Sequence, residues 1–188
     1  MNEASNPVDV AVVGATGVVG EAMIEALGER KFPVNNLYPL ASERSAGGRV
    51  QFGGRSVRVQ RLDEFDFSKA QVGLFSAGAS VSEHYAPIAA DAGCIVIDNT
   101  SQFRYDDDVP LVVPEVNPGA IANHHLRGII ANPNCSTIQM MVALKPIYDA
   151  VGIRRINVAT YQAVSGAGRE GVKELATQTA ALLNLQPI

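Results

Sequence analysis

The 188 residues carry a formal net charge of −4, with 47% hydrophobic and 18% charged residues. This globular composition excludes global disorder, and the length suits one complete domain plus part of another. No run approaches the roughly 20 apolar residues that cross a bilayer, and no Lys/Arg-rich run supplies the basic patch that nucleic-acid or anionic-membrane binding needs.

The opening MNEASNPVDV lacks the basic and apolar regions of a secretory signal, which makes a cytoplasmic location the expectation. Cys94 and Cys135 are the only cysteines, too few for a disulfide scaffold and unclustered, so reduced thiols and no metal site are expected.

In chain order, Val8 to Val13 is a short apolar run that suits a strand buried on both faces. Glycines follow, and from Val18 to about Glu29 the apolar residues recur at helical spacing until Phe32-Pro33 ends the helix. A second strand is expected at Leu37 to Leu40, a weaker one near Val57 to Val59, and turns at Ser45 to Gly48 and Gly53-Gly54. Val72 to Phe75 is a further strand, followed by a helix from about Ser80 to Ala92 and a strand from Cys94 to Ile97 that leads to Asp98. Pro110 to Asn123 reads as a proline-punctuated connection with one short helix at most.

After Ile129 to Ala131, Pro133 and Asn134 turn the chain into a helix from about Ser136 to Val151, with Ser136 or Thr137 as its cap. A strand is expected over Ile153 to Gln162, a turn at Ser165 to Gly168, and a helix from Arg169 to about Asn184. The alternation implies an α/β fold: a doubly wound, mostly parallel Rossmann-type sheet, followed by the start of a second α+β domain, with ligands bound at the strand C-terminal ends.

Gly14, Gly17 and Gly20 lie between the first strand and first helix. There, glycines allow a tight turn, close approach of backbone to a pyrophosphate, and packing of helix on strand. At the end of the second strand, Ser42, Arg44 and Ser45 offer donors to a ribose 2′-phosphate, which favours NADP, although the Glu43 carboxylate would repel that phosphate if it pointed inward. The alternative is an exposed polar loop.

Cys135 stands between a strand and a helix start, where backbone N–H groups and the helix dipole favour thiolate, whereas Cys94 falls in an apolar pattern that suits an inert core thiol. Arg104 follows the Asp98 strand and either clamps an anion or pairs with Asp106, Asp107 or Asp108. From position alone Gln162 reads as a surface residue. His84, His124 and His125 are assigned no role.

The segments VAVVGATGVVGEAM, ASERSAG, DNTSQFR, VVPEVNP, NPNCSTIQ and YQAVSGAG occur in this order, and together they resemble the aspartate-semialdehyde dehydrogenase family across essentially the whole chain. The resemblance implies NADPH-dependent reductive dephosphorylation of L-aspartyl 4-phosphate to L-aspartate 4-semialdehyde through a cysteine thioester, in lysine, threonine and methionine biosynthesis. It implies Cys135 as nucleophile and Gln162 as the residue that positions the acyl group. Arg104, Asn134 and Gln162 would bind substrate or phosphate. Gly14, Thr16, Gly17, Val18, Ser42, Arg44, Ser45, Ser76 and Gly78 would contact NADP. On this basis residues 1–132 form the NADP-binding domain, and residues 133–188 begin a catalytic and dimerisation domain of a protein expected to be a homodimer.

Family members are nearly twice as long and supply a histidine acid/base and further basic residues from the later half. The sequence is therefore expected to be a fragment with little turnover alone, and with apolar residues such as Leu175, Leu182 and Leu183 left uncovered. The rival readings are an N-acetyl-glutamyl-phosphate reductase-like enzyme, which shares the thioester chemistry, and a noncatalytic dinucleotide-binding or assembly fragment. A short-chain dehydrogenase is disfavoured because Tyr148 has Gly152, not lysine, four residues on.

Overall fold

The computed structural model describes residues 6–187. β1 (Val8–Val13) is followed by α1 (Val18–Glu29) and β2 (Val34–Ala41). From Val10 to Val13 β1 is apolar and buried because its two faces feed two cores. Val10 and Val12 pack with Ile24 of α1 and with Leu37, whereas Ala11 and Val13 join Leu40, Phe75, Val96 and Ile129 on the opposite face. A central parallel strand covered on both sides loses the polar alternation of a half-exposed one.

β2 extends three residues N-terminal to the expected Leu37 because Val34 pairs with Val8. A hairpin then follows, β3 (Arg49–Phe52) and β4 (Arg55–Arg58), closed by Gly53 and Gly54, both at positive φ. Two such residues suit the tight turn that matches strand twist. Sequence reading finds only the second strand of this pair. β3 is short and charged on one face, and Val50 and Phe52 on the other pack against the core beneath α1.

β5 (Gln60–Arg61), β6 (Val72–Phe75), α2 (Ala79–Asp91), β7 (Ile95–Asp98) and β8 (Ile129–Ala131) complete a six-stranded sheet of order β5-β2-β1-β6-β7-β8, with every pairing parallel. From β1 the chain winds outward to β2 and β5, then returns to β6 and winds the other way. A crevice for ligand therefore opens at the C-terminal ends of β1 and β6. The connection after β7 contains one 3-10 helix, Pro118–Leu126.

α3 (Cys135–Val151) and α4 (Gly168–Leu183) follow β8, and neither contains a buried residue. Val151, Leu175, Leu182 and Leu183 are all exposed. The strand expected over 153–162 does not form: this segment is irregular and pairs with no strand among the described residues. Its β-branched residues favour extended backbone, but a strand exists only where another strand satisfies its N–H and C=O groups. No helix among the described residues is long and apolar enough to cross a membrane.

Candidate functional site

The turn between β1 and α1 is built from backbone packed on backbone. Gly14 sits at φ +88°, and a Cβ there would lie 3.0 Å from Ala77 N. At Gly20 a Cβ would lie 2.1 Å from the Gly14 carbonyl oxygen, so only glycine lets α1 start this close to the strand. Gly14 N and Ala15 N both donate to Leu40 O, which ties the turn to β2. No side chain caps the start of α1, so its first N–H groups and the positive end of its dipole remain available to an anion.

A cavity of about 1040 Å³ opens over this turn. Gly14, Thr16, Gly17 and Val18 line it together with Ser42, Arg44 and Ser45 after β2 and Ser76 and Gly78 after β6. The sequence scatters these residues over 65 positions, from 14 to 78; the parallel sheet gathers them because all its strands end on one edge. Ser76 is fixed there by its N–H and hydroxyl, both donated to Val13 O.

Glu43 also lines the cavity, but its carboxylate is paired with Arg61 at 3.2 Å. Arg61 further engages Asp63 at 2.6 Å and Glu64 at 3.2 Å. Its hydrogen bond to Asp63 raises the guanidinium's own pKa and lowers that of the Asp63 carboxyl. The cavity wall beside Arg44 is thus partly neutralised from outside, which answers the repulsion raised by Glu43 in the sequence.

Cys135, Asn134, Arg104 and Gln162 lie outside this lining. Three of them are nevertheless connected to it. Asn99 lines the cavity at the end of β7, and its side-chain oxygen accepts from Asn132 Nδ2 at 2.8 Å. Arg104 donates from Nη2 to Asn99 O (3.1 Å) and from Nε to Asn132 O (3.0 Å), so one guanidinium spans the ends of neighbouring strands. The ion pair considered for Arg104 goes instead to Arg127, which holds Asp106 at 2.6 Å and Asp108 at 3.2 Å.

Beyond Asn132, the cap of α3 is Asn134 and not Ser136 or Thr137. Its Oδ1 accepts from the N–H groups of both those residues and from the Ser136 hydroxyl. An Asx side chain one residue before the helix reaches these orphan donors directly, whereas Ser136 and Thr137 already lie inside the first turn. Cys135 is therefore the first helical residue, exposed, and it comes just after β8, the strand next to β7, whose end borders the cavity. Cys94 is the opposite case: it is 1% exposed, and burial pushes its thiol up to about 12.

Gln162 stands in the irregular 153–162 segment, exposed, with its amide donated only to Thr160 Oγ1 at 2.9 Å. Two features escape sequence reading. Asp98 is fully buried and accepts from Ser82 Oγ, Thr100 N and Thr100 Oγ1, which fixes the turn carrying Asn99; an aspartate ending a strand before Asn-Thr-Ser is the signal for it. Residues 166–170, read as a loop and helix start, also line the cavity, and Arg169 pairs with Glu21 of α1 at 2.6 Å.

A doubly wound parallel sheet with a glycine turn, an uncapped helix start and a large crevice at its switch point is the architecture of a dinucleotide-binding α/β protein. The family model for the semialdehyde dehydrogenase NAD-binding domain matches residues 9–124, and that for the semialdehyde dehydrogenase dimerisation domain matches residues 144–188. The chain belongs to the semialdehyde dehydrogenase family.

It is 66% identical over 183 residues to an aspartate-semialdehyde dehydrogenase of Shewanella violacea, covering 97% of this chain and 54% of the relative. Among solved structures it resembles aspartate-semialdehyde dehydrogenase II of Vibrio cholerae complexed with ASA, at a TM-score of 0.93 and 65% identity over 97% of this chain and 55% of that one. It also resembles the Candida albicans enzyme with NADP, at 0.66 and 28%, over 79% and 48%. The chain spans about half the length of the relatives it matches.

Proposed function

We propose that this chain is the cofactor-binding and thioester-forming part of an NADP-dependent aspartate-semialdehyde dehydrogenase. In this reading the whole protein reduces L-aspartyl 4-phosphate to L-aspartate 4-semialdehyde, with release of phosphate, in lysine, threonine and methionine biosynthesis. Residues 1–132 hold the cofactor, and residues 133–188 open the catalytic and dimerisation domain. The observation that carries the reading is the exposed thiol of Cys135 at the first position of α3, just beyond β8, the strand that pairs with the one whose end borders the cavity.

The cavity fits a dinucleotide: its floor is glycine backbone, its α1 end offers free N–H groups, and its β2 end offers Ser42, Arg44 and Ser45. The NADP named for the Candida relative supports the choice of the 2′-phosphorylated form. Bound there, NADPH supplies the hydride.

Cys135 acts as thiolate on the acyl carbon. A C–S bond forms, the bond from carbon to the phosphate oxygen breaks, and inorganic phosphate leaves. After hydride reaches the thioester carbon, the C–S bond breaks, its electron pair returns to sulfur and the aldehyde departs. Gln162 holds the acyl oxygen through an amide that does not titrate. Asn134, whose oxygen serves the helix cap, keeps its NH2 group for substrate or phosphate, and Arg104, bonded to the carbonyls of Asn99 and Asn132, supplies a fixed positive charge for the same anion.

Assembly as a homodimer follows from the uncovered apolar side chains of α3 and α4 and from the dimerisation-domain match. Sedimentation as a concentration-independent monomer would remove that part. The chemistry is tested by incubating the chain with aspartyl phosphate and reading intact mass. An acyl adduct that vanishes in Cys135→Ser supports the reading; a folded sample that alkylates at Cys135 yet takes no acyl group overturns it.

A further inference from the structure

Among the residues that line the large cavity, the cations are Arg44 and Arg169. They stand at different ends of it. Arg44 follows β2, beside Ser42 and Ser45. Arg169, at the start of α4, has its Nη2 2.6 Å from Glu21 Oε1, and Glu21 lies in the first turn of α1. Glu21 lies four residues beyond Gly17 along the helix, a rise of about 6 Å, which is within the swing of an arginine side chain.

The first turn of α1 is where a dinucleotide's diphosphate sits in this kind of fold. That end of the cavity has backbone N–H groups but no other cation in its lining, and it does have the carboxylate of Glu170. A diphosphate brought there would meet that negative charge with only the partial positive charge of the helix to offset it. The Arg169–Glu21 pair is solvent-exposed on both sides (61% and 52%), and such a pair contributes little to stability. Its guanidinium can therefore be withdrawn at little cost.

We propose that Arg169 is a diphosphate-binding residue, parked on Glu21 at the first turn of α1 and transferred to the diphosphate when a dinucleotide enters. This rests on the dinucleotide reading above and adds a division of labour to it. Arg44 discriminates the 2′-phosphate, whereas Arg169 contacts the part common to NADPH and NADH. The segment 166–170 thereby covers the cofactor as well as linking the thioester half of the chain to the Rossmann-type half.

The test is titration of this chain with NADPH and, separately, NADH, followed by nicotinamide fluorescence. The variants are Arg169→Gln, Arg169→Lys, Glu21→Gln and Arg44→Gln. Loss of one charge-assisted contact predicts that Arg169→Gln weakens both dinucleotides by the same factor, about tenfold. Arg169→Lys should recover most of that affinity, and Arg44→Gln should weaken NADPH alone. Glu21→Gln breaks the same ion pair but leaves the guanidinium, so it should bind as tightly as the parent or more tightly.

If Glu21→Gln weakens binding as much as Arg169→Gln, the pair is only a brace for α4 and the proposal is overturned. Unchanged affinity in Arg169→Gln, or a loss confined to NADPH, overturns it too. Failure of the parent chain to bind either dinucleotide removes the cofactor reading itself, and Arg169's role with it.

Discussion

The side-chain amide of Asn132 donates to the side-chain oxygen of Asn99 across 2.8 Å, joining the loop that leads to Cys135 to the wall of the large cavity. Arg104 reinforces the join by bonding to the backbone carbonyls of the same two residues. The thiol's distance from the cavity is therefore set by side chains on two neighbouring strand ends, and the loop between β8 and α3 is not free to set it.

Removing that guanidinium leaves two half-buried carbonyls without their donor. Arg104→Ala is expected to lower unfolding free energy by about 1–3 kcal/mol, as read by urea denaturation. Arg104→Lys should recover only part of this, since an ammonium cannot reproduce the planar fork that serves two acceptors at once. A loss below a few tenths of a kcal/mol in Arg104→Ala would show that the bridge does not hold the strand ends.

The glycine turn makes a sharper stability prediction. Gly20→Ala would drive a methyl to 2.1 Å from the Gly14 carbonyl oxygen, so α1 must shift from the strand. Overpacking of this kind costs on the order of 1–3 kcal/mol or more. Gly119→Ala is the control: a Cβ there meets nothing within 4 Å and its φ is ordinary, so the change should stay within about 0.5 kcal/mol. Equal effects of the two substitutions in denaturant titrations would contradict the close approach at Gly20.

Much of this site is legible in the sequence because its signals are local. Gly14, Gly17 and Gly20 lie in one turn, and Cys135 follows a strand and precedes a helix, so pattern and position suffice for both. Arg169 is a different case. Its position over the cavity depends on α4 folding back to α1, 148 residues earlier in the chain, and no local pattern encodes that return. The segment 153–162 fails in the opposite direction, since its residues favour extended backbone but strand formation requires a partner that local propensity cannot supply. Asn134 shows a finer limit: Asn, Ser and Thr all cap helices, and a one-residue difference in the helix start decides which does.

The two cysteines should separate cleanly. Cys135 is exposed and Cys94 is 1% exposed, so iodoacetamide should label Cys135 in the folded chain and reach Cys94 only on unfolding, as read by peptide mass spectrometry. Burial raises the Cys94 thiol from near 9.0 to about 12, and the sign of the linkage follows. The unfolded chain releases this proton above pH 9 while the folded chain retains it. The stabilisation is thus complete below pH 9 and lost as pH rises towards 12, at up to about 1.4 kcal/mol per pH unit. Cys94→Ala should flatten this alkaline slope in urea titrations. A slope identical to the parent's would assign the alkaline loss to other groups.

Charge around the 2′-phosphate end of the cavity leads to a prediction about cofactor choice. Arg61 lies outside the cavity lining yet pairs with Glu43, Asp63 and Glu64, and both Glu43 and Asp63 line the wall beside Arg44. Without Arg61, these carboxylates would compete for Arg44 and repel a phosphate placed next to it. Arg61→Ala should therefore weaken NADPH by several-fold while changing NADH little, because only NADPH carries charge at that end. The pairs are solvent-exposed, so the effect should shrink as salt rises from about 0.01 M, where screening acts over roughly 30 Å, towards 1 M, where it acts over about 3 Å. A loss of NADPH binding that is independent of salt, or shared equally by NADH, would mean that Arg61 acts by holding the β5 turn in shape and not through its charge.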